Sequence, residues 1–436
     1  MEVRHRCVPS TVRENAQHPS SQTLEKKPQL NEFPKGTFTS VRWIIAVLSI
    51  LLFIIVFTPS VIEPEAYSLP PPPNINKGIL KKNNILSKSR SFLENELLAA
   101  ESIVLQGSRL LLKIYVEPLL TINIADYLYT GTADGRLTEI VGNKINEVIR
   151  LGRKTNCGMA FVDPNCGRPL GIRYLGNRRL LVVDTFLGIF EVDFRNKNYT
   201  QLIKSGMYVE GEPLKFINDI DIFENYIFFT DSSSKWSIID YKFIIIEAKK
   251  NGRLLVLDRN TGKIDVILRN LFFPNGVQVA KNGKELFIAE TGLARILKIN
   301  LNSLKHQQQQ PDLLIDNLPC LPDNIRQSSL GELWIPCAAV RDSTAFLGPT
   351  YDLIGKYPSL RKLTAKLLPR QWIYALMDFF ETPYGLVILV DRHGKYMKSF
   401  HDPHGTVISA VSQATDNGTH LFLGSFKPKH LAYLKL

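Results

Sequence analysis

The chain has 436 residues, a formal net charge of +12, and apolar and charged fractions of 44% and 22%. Those fractions are typical of a globular protein, and the length exceeds one ordinary domain unless the fold is a large all-β one. Lys and Arg are spread along the chain without an aromatic-interleaved basic motif, so the positive surplus does not predict a nucleic-acid partner.

The N-terminal region has the pattern of a membrane anchor. Residues 1–42 are polar and predict a disordered cytosolic tail, and residues 43–62 are apolar over the roughly 20 positions that span a bilayer. Basic residues precede this run and Glu63 and Glu65 follow it, which predicts a cytosolic N-terminus. A cleaved signal peptide is disfavoured, because the polar leader is too long and no small-x-small site follows. The pattern predicts a single-pass type II membrane protein of the endoplasmic reticulum or plasma membrane.

A Pro-rich segment at 63–89 follows the predicted signal anchor. Its centre, LPPPPN at 69–74, is typical of extended polyproline conformation. We therefore predict a stem that holds the rest of the chain off the membrane.

Residues 90–436 consist of short β-rich runs bounded by Gly, Asn and Asp, and these runs recur in units. Each unit has an alternating apolar strand, a polar turn, a strongly apolar strand and a third strand. The units start at Glu101, Arg168, Asn218, Asn275, Asp323 and Thr406. A repeat of roughly 40–50 residues with several short strands is typical of a β-propeller. The sequence therefore predicts an all-β fold, a six-bladed β-propeller.

Two Asn-Gly pairs lie close together in the fourth unit. Asn282-Gly283 stands between two apolar runs and predicts a hairpin turn. Asn275-Gly276 is not needed for that hairpin and opens the strand that lines the channel. We therefore expect the Asn275 side chain to face the propeller axis.

Two segments depart from the repeat. The apolar segment 108–125 interrupts the first unit and is a lid, an extra buried strand, or a disturbance of the first blade. Segment 358–370 has Leu360, Leu363 and Leu367 on one helical face and basic residues on the rest. It is either a lid or membrane-surface helix over the channel mouth, or a helix packed on the side of the propeller.

Four of the five cysteines follow the predicted anchor and so face an oxidising compartment. Cys157 and Cys166 close a short loop and predict a disulfide. Cys320 and Cys337 flank a predicted hairpin and either pair across it or remain buried thiols. Zinc is disfavoured, because no Cys or His pair has the spacing of zinc ligands.

Two sequence triplets predict N-glycosylation on the exported side of the membrane. Asn198 begins Asn-Tyr-Thr, and Asn417 begins Asn-Gly-Thr. Both match the acceptor pattern for N-linked glycans and fit a lumenal or extracellular domain.

Polar residues at the unit starts predict a metal site. In a propeller the first strand of each blade lines the central channel, so these residues converge near one mouth. The candidates are all oxygen donors: Glu101, Asn218, Asn275, Asp323 and Asn324. Ca²⁺ takes carboxylate and Asn carbonyl oxygens in flexible geometry. Asn and Asp also begin strands because they suit turns, but their recurrence at equivalent positions favours a Ca²⁺ site.

The motifs CGRPLGI, NDI, FTDSSSKW, FPNGVQV, ETGLARI, LPDNIR and HDPHG resemble the strictosidine synthase-like family, in particular its membrane-anchored animal branch. The resemblance covers about residues 90–436 in the same order. It implies a six-bladed propeller, a signal anchor, and kinship with the paraoxonase and gluconolactonase propellers, which hold Ca²⁺ in the channel. The matching positions are those of the predicted metal site.

Two departures bear on activity. The family's condensing enzyme uses a glutamate of the last blade for acid–base chemistry, and the matching position here is Ala410. Condensing activity is therefore not predicted. Paraoxonases carry a histidine as a proposed base at the position that matches Leu170, so that base is absent as well. The position of Glu101 before the insertion leaves Glu117 as a rival ligand.

Two functional hypotheses remain. The first is a Ca²⁺-dependent hydrolase of the arylesterase or lactonase type, with Asp323 as ligand and base for a small ester or lactone. The second is a non-catalytic glycoprotein that serves as a binding or adhesion platform with structural Ca²⁺. The sequence shows no Ser-His-Asp order, and His401 and His404 in HDPHG predict a turn rather than a catalytic pair.

Overall fold

The computed structural model describes residues 36–106, 127–157, 163–303, 310–343 and 349–436. The chain divides after Thr58 into two compact units. In the first, helix α1 (Gly36–Phe57) starts before the predicted anchor and ends short of its predicted limit at residue 62. Pro59 explains the early end, because proline disfavours helical conformation in the residue before it. Within the described part of the chain, no helix has both the length and the hydropathy to cross a membrane.

The second unit is a six-bladed β-propeller, as predicted. Strand β1 (Arg90–Phe92) is set apart from the first blade. The first blade contains β2 (Ile103–Gln106), β3 (Tyr127–Gly131), β4 (Arg136–Val141) and β5 (Lys144–Arg150). The second contains β6 (Pro169–Gly176), β7 (Arg179–Asp184), β8 (Gly188–Asp193) and β9 (Asn198–Lys204). A short hairpin of β10 (Tyr208–Val209) and β11 (Glu212–Pro213) follows.

The remaining blades repeat the same antiparallel order. The third contains β12 (Ile217–Phe223), β13 (Tyr226–Asp231), β14 (Gly252–Asp258) and β15 (Ile264–Leu271). The fourth contains β16 (Pro274–Val279), β17 (Glu285–Glu290), β18 (Arg295–Asn300) and β19 (Asp312–Ile315). The fifth contains β20 (Cys320–Pro322), β21 (Arg326–Gln327), β22 (Leu333–Val340), β23 (Gly385–Val390) and β24 (Tyr396–Asp402). The sixth contains β25 (Val411–Asp416), β26 (His420–Ser425) and β27 (Leu431–Lys435).

The ring closes through the sixth blade. Strand β1 pairs antiparallel with β27, with Arg90 opposite Tyr433 and Phe92 opposite Leu431. The fourth strand of the last blade therefore comes from the start of the propeller, which ties its two ends together without a free edge. Apolar side chains fill the spaces between blades, as where Leu254 of the third blade shares a cluster with Leu286 of the fourth.

Helices interrupt two of the blades. The helices are α2 (Tyr241–Glu247), between β13 and β14, and α3 (Thr350–Gly355), α4 (Pro358–Leu367) and α5 (Arg370–Phe380), between β22 and β23. In an antiparallel blade, the connection from the second to the third strand lies at the mouth where the first strand begins. All four helices therefore stand at the mouth that holds the starts of the inner strands. Short 3₁₀ helices occur at Gly78–Leu80, Leu86–Lys88, Ile238–Asp240, Thr291–Leu293 and Leu301–Ser303.

The segment predicted as a free stem, 63–89, packs against the propeller instead. Tyr67, Ile75, Leu80 and Leu86 are buried in clusters with propeller residues. The backbone of Tyr67 donates to the Gly355 carbonyl at 3.1 Å. Apolar residues recur through the segment, and burying them against the propeller is favourable, which the proline run alone did not predict.

Both predicted cysteine pairs are joined. Cys157 bonds to Cys166, and Cys320 bonds to Cys337, with Cα–Cα distances of 5.8 and 5.6 Å. The second bond links β20 to its antiparallel neighbour β22, which excludes the alternative of two buried thiols. The insertion at 108–125, including Glu117, lies outside the described residues.

Candidate metal centre

Local irregularities in the inner strands set the directions of two predicted ligands. The pairing of β12 with β13 shifts register between Ile217 and Ile220, and that of β16 with β17 shifts between Pro274 and Val277. Bulges of this kind release one or two residues from the ladder and re-aim their side chains. Asn218 and Asn275 occupy these positions, so the ladder does not dictate where their amides point.

The close packing around Gly276 explains why a glycine follows Asn275. A Cβ atom on Gly276 would lie 2.4 Å from the Ile325 nitrogen and 2.5 Å from the Asp323 carbonyl oxygen. The bare glycine backbone therefore lets the fourth blade approach the strand start of the fifth. Asn282-Gly283 forms the predicted hairpin turn between β16 and β17, with Gly283 at a φ of +66°.

Hydroxyl groups of neighbouring blades fix the backbone around the site. Ser232 donates to the Pro274 carbonyl at 2.6 Å, and Thr230 donates to the Asn275 carbonyl at 2.7 Å. Because the Ser232 proton is used in that bond, its oxygen accepts from the Asn218 amide nitrogen at 2.9 Å. The Asn218 amide is thereby oriented, and its carbonyl oxygen is left for another partner.

Four oxygens of the predicted ligand set are buried without a hydrogen-bond partner among the described residues. They are the Oδ1 atoms of Asn218, Asn275, Asp323 and Asn324. Each of these residues is at most 5% exposed. An unpaired buried polar group costs about 1–3 kcal/mol, so such groups in a native fold indicate an absent partner. A hard cation supplies one partner to several oxygens at once, so the set fits Ca²⁺.

Glu101, the remaining predicted ligand, already has a cationic partner. Arg168 Nη2 lies 2.9 Å from Glu101 Oε2, and both side chains are buried. Burial raises the pKa of Glu101, the charge of Arg168 opposes this rise, and Asp219 adds to it. Glu101 therefore lies near Asp323 with its charge offset by Arg168 rather than without a partner. Arg168 was not predicted, although it opens the second unit.

Asp323 carries the most perturbed carboxyl of the site. Burial raises its pKa well above the ordinary value, and the negative charges of Glu101 and Asp219 raise it further. The Asn275 side chain and the charge of Arg326 act in the opposite direction. Within the described residues, no cluster of three or more His, Cys, Asp or Glu could hold a metal. Amide oxygens therefore supply most of the candidate set.

An ion network that sequence reasoning missed lies further along the channel. Arg326 donates to both oxygens of Asp219, at 2.7 and 3.0 Å, and Arg173 adds a longer contact to Asp219 at 3.4 Å. Burial raises the pKa of Asp219, but the charges of Arg173 and Arg326 outweigh it and leave the pKa below its ordinary value. The signal was present in LPDNIR, where Arg326 follows the predicted ligands by two positions.

An apolar cluster covers the mouth above the candidate ligands. Leu170, Phe216 and Phe272 stand at or just before the starts of inner strands, and they cluster with Tyr67. The Tyr67 hydroxyl donates to the Tyr351 carbonyl at 2.8 Å. We call this apolar cluster the roof, and Leu170 is fully buried in it. The side chain at the position that was matched to the paraoxonase base therefore contributes packing. Ala410, also buried, stands just before β25 at a φ of 49°.

His401 lies within β24 and has a structural role in a hydrogen-bonded chain. Ser399 donates to the Ile79 carbonyl at 2.6 Å, so its oxygen accepts from His401 Nε2 at 2.9 Å. Tyr384 then donates to His401 Nδ1, also at 2.9 Å. Both ring nitrogens of a neutral imidazole are used, and His404 is exposed in the turn that follows.

We expect the His401→Gln variant to lose less stability on acidification than the unmodified protein. Burial and the nearby charge of Lys82 lower the pKa of His401 from 6.5 to about 4. Between these values the unfolded chain binds a proton that the folded protein refuses, so stability falls as pH drops from 6.5 to 4 by up to about 3 kcal/mol. Urea unfolding across this range measures the slope. His404→Gln is the control, and equal slopes for both variants would contradict the assignment.

Both predicted glycosylation acceptors are exposed. Asn198 begins β9, and Asn417 lies in the turn between β25 and β26. Modification of either residue stays a prediction.

The protein is thus a six-bladed β-propeller whose candidate metal ligands, carboxylate and amide oxygens, lie at one mouth of the channel. The family model described as strictosidine synthase matches residues 218–303. The adipocyte plasma membrane-associated protein of Salmo salar is 37% identical over 388 residues, which cover 88% of this chain and 87% of that protein. The human protein of the same name is 34% identical over 379 residues, covering 86% and 84%. The chain therefore belongs to the adipocyte plasma membrane-associated protein family, and the resemblance to the strictosidine synthase-like group is confirmed.

More distant similarities extend the comparison. Hemomucin of Drosophila melanogaster is 27% identical over 396 residues, covering 84% of this chain and 63% of that protein. Calcium-binding regucalcin from Agrobacterium tumefaciens aligns with a TM-score of 0.48 and 10% identity over 79% of this chain and 92% of that one. A gluconolactonase from Xanthomonas campestris aligns with a TM-score of 0.46 and 15% identity over 87% and 99%. The propeller assignment rests on the strand pairings of the chain itself.

Proposed function

We propose that the protein is a membrane-anchored, Ca²⁺-dependent hydrolase of the arylesterase or lactonase type. The observation that carries the proposal is the set of four buried oxygens without partners at one mouth of the channel. Buried oxygens left unpaired at equivalent positions of several blades fit a cation that is coordinated by several oxygens at once.

The proposed cation ligands are Asn218, Asn275, Asp323 and Asn324, with Glu101 beside them. A bound Ca²⁺ supplies Lewis-acid polarisation of an ester or lactone carbonyl. The protein supplies rigidity, because hydroxyls of the third blade hold the backbone of Asn275 and of Pro274 before it. The Arg168 guanidinium offsets the charge of Glu101, which leaves Asp323 as the carboxylate of the set without a direct cationic partner in the described structure.

Asp323 is the proposed general base. Its carboxylate takes a proton from a water molecule, whose oxygen attacks the carbonyl carbon while the ester C–O bond breaks. The same carboxyl then returns the proton to the departing alkoxide oxygen. The apolar roof of Leu170 and Phe272 suits an aryl or alkyl group near the scissile bond.

Hydrolysis of aryl acetates and simple lactones by the purified full chain tests the proposal. We expect turnover that a chelator removes and added Ca²⁺ restores. The Asp323→Asn variant should lose about 100-fold or more in kcat, as expected for removal of a general base. Asp265→Asn, which changes an exposed carboxyl, is the matched control. Turnover that survives both the chelator and Asp323→Asn would refute the assignment.

A specific observation supports the second candidate, a non-catalytic propeller with structural Ca²⁺. Apolar side chains occupy positions 170 and 410, where related enzymes carry catalytic groups, and the roof buries the ligand set. For this candidate we expect chelation to lower the melting temperature while no ester or lactone is turned over above background. The same assay therefore separates the two functions.

The proposal places the propeller on the exported side of a membrane. The apolar run at 43–62, with basic residues before it, supports a signal anchor with a cytosolic N-terminus, and the relatives are named membrane-associated proteins. The two disulfides suit an oxidising lumen or cell exterior. Protease treatment of intact microsomes checks this topology, because a lumenal propeller is protected from added protease. Sensitivity of the protected propeller to a glycosidase would show that it carries N-linked glycans.

A further inference from the structure

We infer that helices α4 and α5 form a docking surface for the lipid bilayer that carries the protein. This inference rests on the proposed membrane anchor, and it adds a second contact between the propeller and the same membrane. The surface consists of the outward faces of the two helices.

The first observation is that α4 is turned with its apolar face outward. Leu360, Leu363 and Leu367, which recur on one helical face, are 59%, 39% and 50% exposed. A helix that packs on a protein normally buries such a face and exposes its charges. The sequence predicted this amphipathic pattern, and the structure shows that it is not the leucines that meet the propeller.

The inward side of α4 is held by a buried arginine. Arg361 is 5% exposed. It donates to the carbonyl oxygens of Ile246, of Glu65 at 2.6 Å and of Gly355 at 3.1 Å. These bonds fix the rotation of the helix, so the outward position of the leucines is a property of the packed structure.

Helix α5 has apolar side chains on both sides. Ile373 is buried in a cluster with Ile62 and Phe243. Trp372, Leu376 and Phe379 follow the spacing of a single helical face and are 64%, 43% and 81% exposed. An exposed apolar surface of this kind on consecutive helices indicates an interaction site, whereas single exposed apolar residues do not.

The chain path identifies the occupant as a bilayer. Glu63 pairs with Lys362 of α4 at 2.9 Å, so residues just after α1 are attached to this surface. Four residues separate Phe57, the last residue of α1, from Ile62, and the five steps of chain between them extend at most about 17 Å. The proposed anchor therefore precedes this surface by only a few residues of chain, which favours a bilayer as its occupant.

The composition of the two helices suits the interface of a bilayer. Trp372, Phe379 and the leucines provide the apolar face. Lys362 and Arg370, which pair with Glu63 and Asp240, provide basic side chains for the headgroup region. Helices with this combination lie in the plane of the interface with the apolar face about 5–10 Å deep. A partner helix of another protein has no comparable constraint from the chain path.

A fluorescent label in lipid vesicles tests the docking surface in the full chain. The label is attached to single cysteines in a Cys7→Ser background, because the other four cysteines form the two disulfides. Leu376→Cys reports on the surface, and Leu48→Cys reports on α1. Leu330→Cys is the matched control, since Leu330 is 86% exposed in the turn before β22, at the opposite mouth.

The protein is reconstituted in phosphatidylcholine vesicles with or without brominated acyl chains. We expect bromine to reduce emission at position 376 roughly twofold, as for a face about 5–10 Å deep, and to leave position 330 unchanged. Equal behaviour at 376 and 330 overturns the inference. So does a label at 376 that is shielded from both bromine and aqueous iodide, because a second protein surface then covers it.

The label at position 48 separates the inference from the anchor. Quenching at 48 without quenching at 376 supports the anchor and overturns the docking surface. Quenching at 376 without quenching at 48 supports the docking surface and overturns the anchor. Absence of quenching at both positions overturns both.

Discussion

Asn275→Ala is expected to abolish most of the stabilisation that Ca²⁺ would give through the proposed site. A ligand that binds only the folded state adds about 2.7 kcal/mol at 100 times its dissociation constant. Asn275 lies beside the close approach of the fourth and fifth blades, and its Oδ1 has no partner in the described structure. Loss of this oxygen removes one ligand from the neutral part of the set. The melting temperature with Ca²⁺ and with chelator measures the effect.

The stability of Asn275→Ala without Ca²⁺ provides a second test. Because Asn275 Oδ1 is unpaired in the folded protein, the loss of stability in chelator should be confined to the contact between the Asn275 side chain and Asp323. Asn282→Ala is the control from the neighbouring Asn-Gly pair. Its Oδ1 accepts from the Lys284 backbone at 2.9 Å within the hairpin turn, so it should lower stability slightly and leave the Ca²⁺ response intact. An unchanged Ca²⁺ response in Asn275→Ala would remove Asn275 from the site.

Arg326→Met is expected to destabilise the protein by roughly 3–5 kcal/mol, because it leaves a buried charge with weaker compensation. Arg326 binds both oxygens of Asp219 at 2.7 and 3.0 Å, and Asp219 is fully buried. Arg173 remains, but its contact to Asp219 is longer, at 3.4 Å. Asp219 also accepts from the Val277 backbone at 2.9 Å, so a disturbance there reaches the channel strand of the fourth blade.

The urea midpoint and slope of unfolding measure the cost of this substitution. Lys263→Met is the matched control, because Lys263 pairs with Asp265 at 2.8 Å where both side chains are well exposed. An exposed pair contributes about 0–1 kcal/mol. Addition of Asp219→Asn to Arg326→Met should recover part of the loss by removing the uncompensated charge. A loss in Arg326→Met no larger than that in Lys263→Met would show that the buried pair is not needed.

The candidate ligands could be proposed from sequence because their signal is local. Asn218, Asn275 and Asp323 each stand at the start of an inner strand, and the repeat makes such positions equivalent. Their partners were missed for the opposite reason. Arg168 at the start of the second blade meets Glu101 at the start of the first, and Arg326 of the fifth blade meets Asp219 of the third. Neither pairing has a periodic signature.

The packing of residues 63–89 against the propeller also has no local signal in the sequence. LPPPPN predicts an extended backbone, but conformation does not say what the segment touches. Tyr67 and Ile75 find apolar surfaces that are built from strands more than a hundred residues later. A stem was predicted because the surfaces that receive these side chains exist only in the assembled propeller.

The sequence by itself determined the number of blades, the hairpin at Asn282-Gly283 and the oxygen donors at the strand starts, since strand alternation and turn chemistry act between near neighbours. It also placed a helix at α4 from the spacing of its leucines. Only the tertiary structure decided which way that helix faces, because the rotation depends on Arg361 reaching carbonyls of Glu65 and Ile246. Those partners are distant in sequence, and hydrophobic periodicity alone left open whether the leucines face outward or pack on the propeller.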